Sequence, residues 1–414
     1  SPPPAPSPSL RDEEGVLGAI RRLADYLVDT APAYSERKEQ AKDEFMYYTQ
    51  GLEGLVGAYR LIRDPRHLEL ARSMAGMVWE EPKHHSHSYI SSLLGILALY
   101  EATREEGYLQ FALDQREKLT KMVTVDGGVT EQLPDKWCTE FCSVADWFML
   151  NLRLGLATQR IDLLDEAEKI LYNALYFNQF ASGGFGTWHV NKEHGYPGRV
   201  EMGSGEAYWC CCFHGARSLY EAIASAVTTN GTTVSVNLPV PGEFGPVKVE
   251  TDYPVSGQVT LTALEDVASL RLRVPAWATN AFLDDSTVAC GEWATIENLK
   301  PGDQATLTFD VGIRMLGKSK KATLAWGPVL LAIDELYNAT GPTDTEKPWS
   351  GPDEISVPPS LALLGATGLA VPPQWPELCF RAGAAVLSPL ARSLPNNPVC
   401  APSTRLRYKL DIFE

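Results

Sequence analysis

Apolar positions in the first half of the chain recur at three- and four-residue spacing. In "EGVLGAIRRLADYLV" this places Val16, Ile20, Leu23 and Leu27 on one face, which predicts an amphipathic helix packed through that stripe. The same period continues, interrupted by short polar turns, from about Leu10 to Val227. Within it, "GLEGLVGAYRLIRDPRHLELARSM" and "SLLGILALYEATREEGYLQFALDQ" share a helix rich in small residues, a tyrosine, a polar turn and a second helix. Gly54 and Gly95 stand at matching places, as do Tyr59 and Tyr100, and "NLRLGLATQRIDLLDEAEKILYN" reads as a more diverged third copy. A period of about 40 residues carrying two helices predicts stacked helical hairpins, arranged as an open solenoid or a closed toroid.

After Thr228 the period drops to two. "TTVSVNLPV", "PVKVETDYP", "GQVTLTALE", "ASLRLRVPAW" and "DQATLTFDVGIRML" alternate apolar and polar residues between Gly, Pro and Asp, and predict antiparallel strands of a β-sandwich reaching about Asp334. The stretch "GPDEISVPPSLALLGATGLAVPPQWPE" is Pro-rich and irregular, and the tail "AAVLSPLARS" to "RLRYKLDIFE" predicts two more strands. The expected organisation is a Pro-rich tail over 1–9, a helical domain over 10–227, a β-sandwich over 228–334, and a Pro-rich connection with C-terminal strands over 335–414. The period changes with almost no linker, so the helical and β portions are expected to share a buried interface rather than a tether.

Composition adds little to this picture, because 414 residues at 44% hydrophobic and 21% charged describe an ordinary globular chain of two or three domains. Charge adds more. A net charge of −16 repels nucleic acid and anionic membrane, and neither is expected as a partner. No apolar run reaches the length of a bilayer span. No signal peptide is visible, and "SPPPAPSPSL" fits a trimmed terminus. Two sequons, Asn230-Gly231-Thr232 and Asn338-Ala339-Thr340, point to secretion, whereas the grouping of the cysteines leans towards a cytoplasmic location.

Five of the eight cysteines fall in two tight groups, Cys138 and Cys142 in "KWCTEFCSVADWFML" and Cys210, Cys211 and Cys212 in "YWCCCFHGARSL". Neighbouring cysteines fit a disulfide poorly, which leaves a buried apolar patch, a redox site or a metal site. Glu140 and Cys142 together with a Cys-Cys pair supply one carboxylate and three thiolates, a donor set that zinc takes as a tetrahedron. Successive side chains diverge by about 100° on a helix, so the pair is expected in a loop just ahead of a helix "GARSLYEAIASAV". There the helix N-terminus would lower thiol pKa values. A buried thiol cluster without metal fits the same residues.

Several stretches together carry a family resemblance: "VTVDGGVTEQLP", "TEFCSVADW", "LDEAEKILYNALYFNQ", "YWCCCFHGAR" and, further on, "DYPVSGQVTLT", "LRLRVPAWA", "PGD" and "WGPVLLAID". On these the chain resembles the β-L-arabinofuranosidase family, glycoside hydrolase family 127 and its relatives, over most of its length. The resemblance implies an (α/α)6-type helical barrel, whole or truncated, followed by antiparallel β-sandwich material. It implies Zn2+ held by Glu140, Cys142, Cys210 and Cys211. Cys210 would also be the nucleophile of a retaining glycoside hydrolase acting on a β-L-arabinofuranoside or similar furanoside. Glu131 follows Gly127-Gly128 as the family's acid/base follows its glycines, although a solvated loop glutamate fits that position too.

The resemblance also implies a sugar-binding histidine in "KHHSHSYISSLLG", His85 or His87. His214 beside the cysteines, and His189 and His194 in "GTWHVNKEHGYPG", are expected at the same mouth, with Trp209 as an apolar wall. Cys212 stands where the family does not usually have cysteine and reads as structural or redox-vulnerable. Tyr47, Tyr48 and Gln50 in "DEFMYYTQGLEG" stand where a histidine is expected, and the segment from Glu131 to Glu140 is short for an arabinofuranosidase. The expected partner is a small-molecule or oligosaccharide substrate, with the oligomeric state open between monomer and homodimer. The competing reading is a diverged member that acts on a non-sugar metabolite or serves as a binding scaffold.

Overall fold

The structure is a computed structural model, and it describes residues 13–36, 48–134, 139–179, 182–186, 210–316, 321–334, 354–356, 362–363, 378–382, 385–389, 406–407 and 410–413. It resolves into two compact units, Ser1–Lys121 with Gln132–Pro134, and Met122–Glu131 with Asp135–Glu414.

The first unit is helical. It contains α1 (Glu13–Glu36), α2 (Leu52–Ile62), α3 (Pro65–Ala75), α4 (Ser86–Thr103) and α5 (Glu106–Leu119), with a short antiparallel pair of β1 (His84–His85) and β2 (Gln132–Leu133). The repeat seen in the sequence is a repeat of hairpins. α2 ends at Arg63 and α4 at Arg104, both left-handed (φ 64° and 61°), and their amides donate back to the carbonyls of Tyr59 and Tyr100. The recurring tyrosine therefore marks the same place in each turn. Asp64 then caps α3 by accepting from the Arg66 amide, with Pro65 at the first helical position. α4 is apolar all round and nearly all of it is buried, as a core helix should be.

α1 departs from its expected face. Ala24 is buried and Ile20 and Leu27 half-buried, whereas Val16 is 56% and Leu23 63% exposed. The seam runs through Ile20, Ala24 and Leu27, where the small Ala24 lets the helix approach its neighbours closely.

The second unit mixes helix and sheet. α6 (Phe141–Thr158) and α7 (Ile161–Ile170) form a third hairpin with the same turn, Gln159 being left-handed (φ 58°) and donating to the Gly155 carbonyl. α7 runs on into one π-helical turn, Leu171–Leu175, and α8 spans Cys210–Ala224. The strands that follow are β3 (Val227–Asn230), β4 (Thr233–Val236), β5 (Gly242–Phe244), β6 (Val247–Thr251), β7 (Gln258–Ala263), β8 (Val267–Arg273), β9 (Thr279–Leu283), β10 (Ser286–Thr287), β11 (Trp293–Leu299) and β12 (Gln304–Asp310). They make one sheet in the order β10-β9-β12-β7-β6-β5 and another in the order β11-β8-β4-β3. The alternating residues Val259 and Leu261 of β7, Ala305 and Leu307 of β12, Leu270 and Leu272 of β8, and Val234 and Val236 of β4 enter one apolar cluster. A third sheet is built around β13 (Ile313–Leu316), β14 (Lys321–Trp326) and β15 (Val329–Asp334), with the later short strands attached to it.

Among the described residues, pairing is antiparallel with two exceptions. β4 runs parallel to β8, and Glu354–Ser356 runs parallel to Leu410–Phe413. The first follows from connectivity, because the chain leaves the four-stranded sheet after β4, builds β5–β7 in the other sheet, and returns as β8 in the original direction.

Two buried polar ties join helix to strand in this unit. Asn173, in the π turn, donates to the carbonyls of Lys169 (2.7 Å) and Pro328 (2.8 Å) and accepts from the Leu330 amide (2.7 Å). Arg273, at the end of β8, pairs with Asp165 and Glu168 of α7 and donates to the Asn237 carbonyl at 2.6 Å. No helix among the described residues is long and apolar enough to cross a membrane.

Candidate functional site

The second unit brings the cysteine groups together. Residues 122–131 fold back on themselves through a Val123–Val129 bridge, with the Thr124 amide donating to the Gly128 carbonyl at 2.8 Å and the Gly127 amide to Thr124 at 3.0 Å. Gly127 is left-handed (φ 93°), and a side chain there would meet Ile170 Cγ1 at 2.5 Å. Thr130 then bridges Thr139, so that Glu131 and Glu140 emerge side by side. Their carboxylate oxygens lie within 4.8 Å of each other. Glu140 occupies the N-cap of α6 in extended conformation (φ −120°, ψ 141°) without spending its side chain on the cap.

One residue into that helix, Cys142 is fully buried, and its sulfur is 3.3 Å from the buried Cys211 sulfur. Cys142, Cys210 and Cys211 all have sulfurs within 4.8 Å of one another. The structure corrects the expected backbone here. Cys210–Cys212 form the first turn of α8 rather than a loop before it. The roughly 100° fan between Cys210 and Cys211 is bridged from outside, because the Cys142 sulfur of α6 comes within reach of both.

Electrostatics reverse the expected direction of the thiol pKa values. The hydrogen-bonded Cys211 thiol, then burial, then the Cys211 and Glu140 charges push Cys142 up. Burial first, and then Cys211 and Glu140, push Cys210 up. Cys142 and Cys210, held high by these neighbours, keep their protons unless a cation joins them, and a cation inverts that preference. The donor set, three soft sulfurs and one carboxylate, suits zinc.

One helical turn further on, the same two helices meet again. Asp146, 0% exposed, faces His214 with 3.0 Å between Oδ1 and Nδ1. Beyond that, Ser218 Oγ donates to the Ala145 carbonyl at 3.4 Å. Cys142 and Asp146 are four apart on α6 and Cys211 and His214 three apart on α8, so each pair shares a helix face. Asp146 was missed in the sequence, where its one signal was a carboxylate inside the apolar run "CSVADWFML".

Cys212 points elsewhere. Its sulfur accepts from the Phe185 amide at 3.3 Å, and Phe185 stacks on Phe141 at 4.8 Å between ring centroids. The three consecutive cysteines thus divide into two that face the Cys142 sulfur and one that anchors a neighbouring segment.

In the first unit, His85 occupies the N-cap position of α4 without a capping bond, and its Nδ1 is 3.2 Å from Ser88 Oγ, which accepts from Gln50 Nε2 at 3.0 Å. His87 Nδ1 lies 3.4 Å from Ser91 Oγ, and the His85 and His87 rings meet edge-on with centroids 5.8 Å apart. Gln50 and Ser88 are thus polar neighbours of the predicted sugar-binding histidine. His189, His194 and Trp209 lie outside the described residues.

Comparison with known proteins identifies the family and the fold. Residues 9–223 match the family profile described as β-L-arabinofuranosidase, GH127 catalytic domain. No curated protein matches the sequence. Among solved structures, a glycoside hydrolase superposes with a TM-score of 0.67 at 17% identity, covering 88% of this chain and 74% of its own. A GH127 β-L-arabinofuranosidase from Geobacillus stearothermophilus T6 superposes at 0.63 with 16% identity, covering 87% and 71%. A GH127 β-arabinofuranosidase superposes at 0.66 with 16% identity, covering 87% and 68%. At such identities the superpositions speak for the fold, and the profile match speaks for the family. With more than half of its residues matched, the chain belongs to the GH127 β-L-arabinofuranosidase family of glycoside hydrolases.

Proposed function

We propose that this protein is a zinc-thiolate, retaining glycoside hydrolase acting on a β-L-arabinofuranoside or a similar furanoside. The observation that carries the reading is the meeting of Cys142, Cys210 and Cys211 beside Glu140, with the Glu131 carboxylate alongside. Glu140, Cys142, Cys210 and Cys211 would hold the ion, which when bound keeps sulfur deprotonated at neutral pH.

In the proposed reaction the Cys210 thiolate attacks the anomeric carbon as the glycosidic C–O bond breaks, giving a thioglycosyl-enzyme. Glu131 gives its proton to the leaving oxygen. In the second half Glu131 takes a proton from water, the new hydroxyl displaces sulfur from the anomeric carbon, and Cys210 leaves as thiolate with net retention. His85, His87, His189, His194 and His214 would bind sugar hydroxyls, and Trp209 would supply an apolar wall. In architectural terms the helical stretch to residue 227 is read as an (α/α)6-type barrel, residues 228–334 as a β-sandwich, and residues 335–414 as a connection with C-terminal strands.

The test is hydrolysis of an aryl β-L-arabinofuranoside together with metal analysis. One zinc per chain, turnover lost in Cys210→Ser, and a Glu131→Gln defect that is large for poor leaving groups and small for good ones would support the reading. A zinc-free protein with near-normal turnover in Cys210→Ser would overturn it. A protein that turns over no furanoside would favour the diverged, non-hydrolytic alternative.

A further inference from the structure

We infer that α1 is a docking surface for a second copy of this chain, the two α1 helices packing antiparallel through Val16, Leu23 and Tyr26. The inference uses only the first unit and is independent of the catalytic reading.

α1 has two apolar sides, and its own unit covers one of them. Ala24, Ile20 and Leu27 make the inward seam, whereas Tyr26 is 60% exposed and joins Val16 and Leu23 in facing water. The outward residues are not scattered. Val16, Ala19, Leu23, Tyr26, Thr30 and Ala33 alternate three- and four-residue steps, which are the a and d positions of a heptad written abcdefg. Single exposed apolar residues are ordinary on a surface, but a contiguous row at heptad spacing marks a contact with another helix. Thr30 does not spoil the row, because its hydroxyl already donates to the Tyr26 carbonyl at 2.7 Å and would be buried with that bond made.

Charge identifies the occupant. Arg22 and Asp29 stand at the two g positions beside the row, both exposed, and among the described residues neither forms an ion pair. They are separated by about 10 Å of helix rise, so they cannot reach each other within one chain. In an antiparallel pair g faces g. When Leu23 packs on Tyr26 of the second copy, Arg22 of each copy therefore meets Asp29 of the other. The same register sets Val16 against Ala33 and Ala19 against Thr30, so larger side chains oppose smaller ones. One two-fold operation satisfies every layer, as a self-complementary interface requires. A parallel pair would set g against e, where Ile20 and Leu27 stand, and would leave both charges unmatched.

The net charge of −16 does not oppose this face, because between Val16 and Ala33 two arginines (Arg21, Arg22) balance two aspartates (Asp25, Asp29). α8 also exposes Phe213, Tyr220 and Ile223. Its flanking Arg217 and Glu221 already pair at 2.8 Å on the same helix, so no charge there selects a second copy.

The experiment is sedimentation velocity on the full chain between about 1 and about 100 µM, a range that brackets the micromolar affinity expected of one short helix pair. We expect a reversible monomer–dimer equilibrium. Leu23→Glu should leave only monomer, with an unchanged melting temperature because the position is exposed. Arg22→Asp and Asp29→Arg should each raise the dimer Kd about tenfold, since each turns two attractive contacts into two repulsive ones. Combining them should restore the Kd to within about threefold of the starting value, a rescue that a folding defect would not produce. A chain that stays monomeric to the highest concentration overturns the inference and assigns the stripe to another occupant. A dimer that survives Leu23→Glu overturns it too, because the contact then lies elsewhere. A double charge variant no tighter than either single one overturns the antiparallel register.

Discussion

Replacing Arg273 with Met should destabilise the second unit by about 3–5 kcal/mol at about pH 8, because it removes the guanidinium that pairs directly with the buried Glu168 and the largely buried Asp165. The guanidinium is 1% exposed. It pairs with Asp165 and, at 2.5 Å, with the fully buried Glu168, and it also donates to Asn237. Burial alone pulls the arginine down, but the Glu168 and Asp165 charges outweigh it and hold its pKa above the ordinary value. Burial raises both carboxylates even with the arginine present. Without it, the stem of Met fills the volume and the charges face each other.

The loss must therefore depend on pH, and its sign is fixed. A carboxylate whose folded pKa lies above its unfolded value contributes stability while protonated, and loses it as pH rises through the folded pKa. Removing Arg273 raises Glu168 and Asp165 further, so the deficit should shrink on acidification, by about 1.4 kcal/mol for each unit of added shift. Urea unfolding followed by tryptophan fluorescence at about pH 5 and about pH 8 reads this directly. Adding Asp165→Asn and Glu168→Gln to Arg273→Met should recover most of the loss, since no uncompensated charge remains. A deficit under about 1 kcal/mol at about pH 8, or one that is the same at both pH values, would refute the reasoning.

Three further outcomes follow from close contacts at the site. Gly127→Ala forces a Cβ to 2.5 Å from Ile170 Cγ1 at a left-handed backbone position, so it should cost about 2 kcal/mol or more and displace Glu131, with turnover falling further than the thermal midpoint predicts. Gly215→Val would drive a side chain into the Phe185 ring and break its stack on Phe141, which should lower stability by about 1–3 kcal/mol and expose Cys212 to alkylation. In chelator-treated protein, Cys142 and Cys210 should alkylate more slowly than a reference thiol near neutral pH and catch up as pH rises, because their neighbours hold both pKa values high. Peptide mapping after iodoacetamide labelling checks this, and fast labelling of both at neutral pH would contradict it.

The helical hairpins were legible because their signal is local: a tyrosine four residues before the left-handed cap recurs at Arg63 and Arg104. The strands that alternate cleanly, β6, β7 and β12, were legible for the same reason. β11 was not, because its pattern of burial breaks alternation around Ile296–Asn298 and its partners are supplied by β8. The parallel pairing of β4 with β8 was hidden as well, since direction depends on where the chain returns from and not on the residues of either strand. At the site, Glu140, Cys142, Cys210 and Cys211 stood out by type and spacing. Asp146 did not, because a single carboxylate in an apolar run carries no ligand signature until the opposing helix is known.

That opposing helix explains why three cysteines stand in a row. α6 and α8 meet along a seam whose successive contacts are Cys142 with Cys211, Asp146 with His214, and Ala145 with Ser218. Two packed core helices would ordinarily fill such a seam with Leu or Ile, and burying thiols, a carboxylate and an imidazole there forfeits hydrophobic stabilisation. Polar side chains survive in it only as matched pairs, so the register of one helix against the other determines both the thiol cluster and the contact of Asp146 with His214. Sliding α8 by one residue would turn every partner by about 100° and leave Asp146 buried without its imidazole. Cys212 stands on the flank of that seam, where its sulfur accepts from the Phe185 amide. The third thiol is therefore not a spare ligand. It ties the first turn of α8 to the Phe185 segment, while the other two face Cys142.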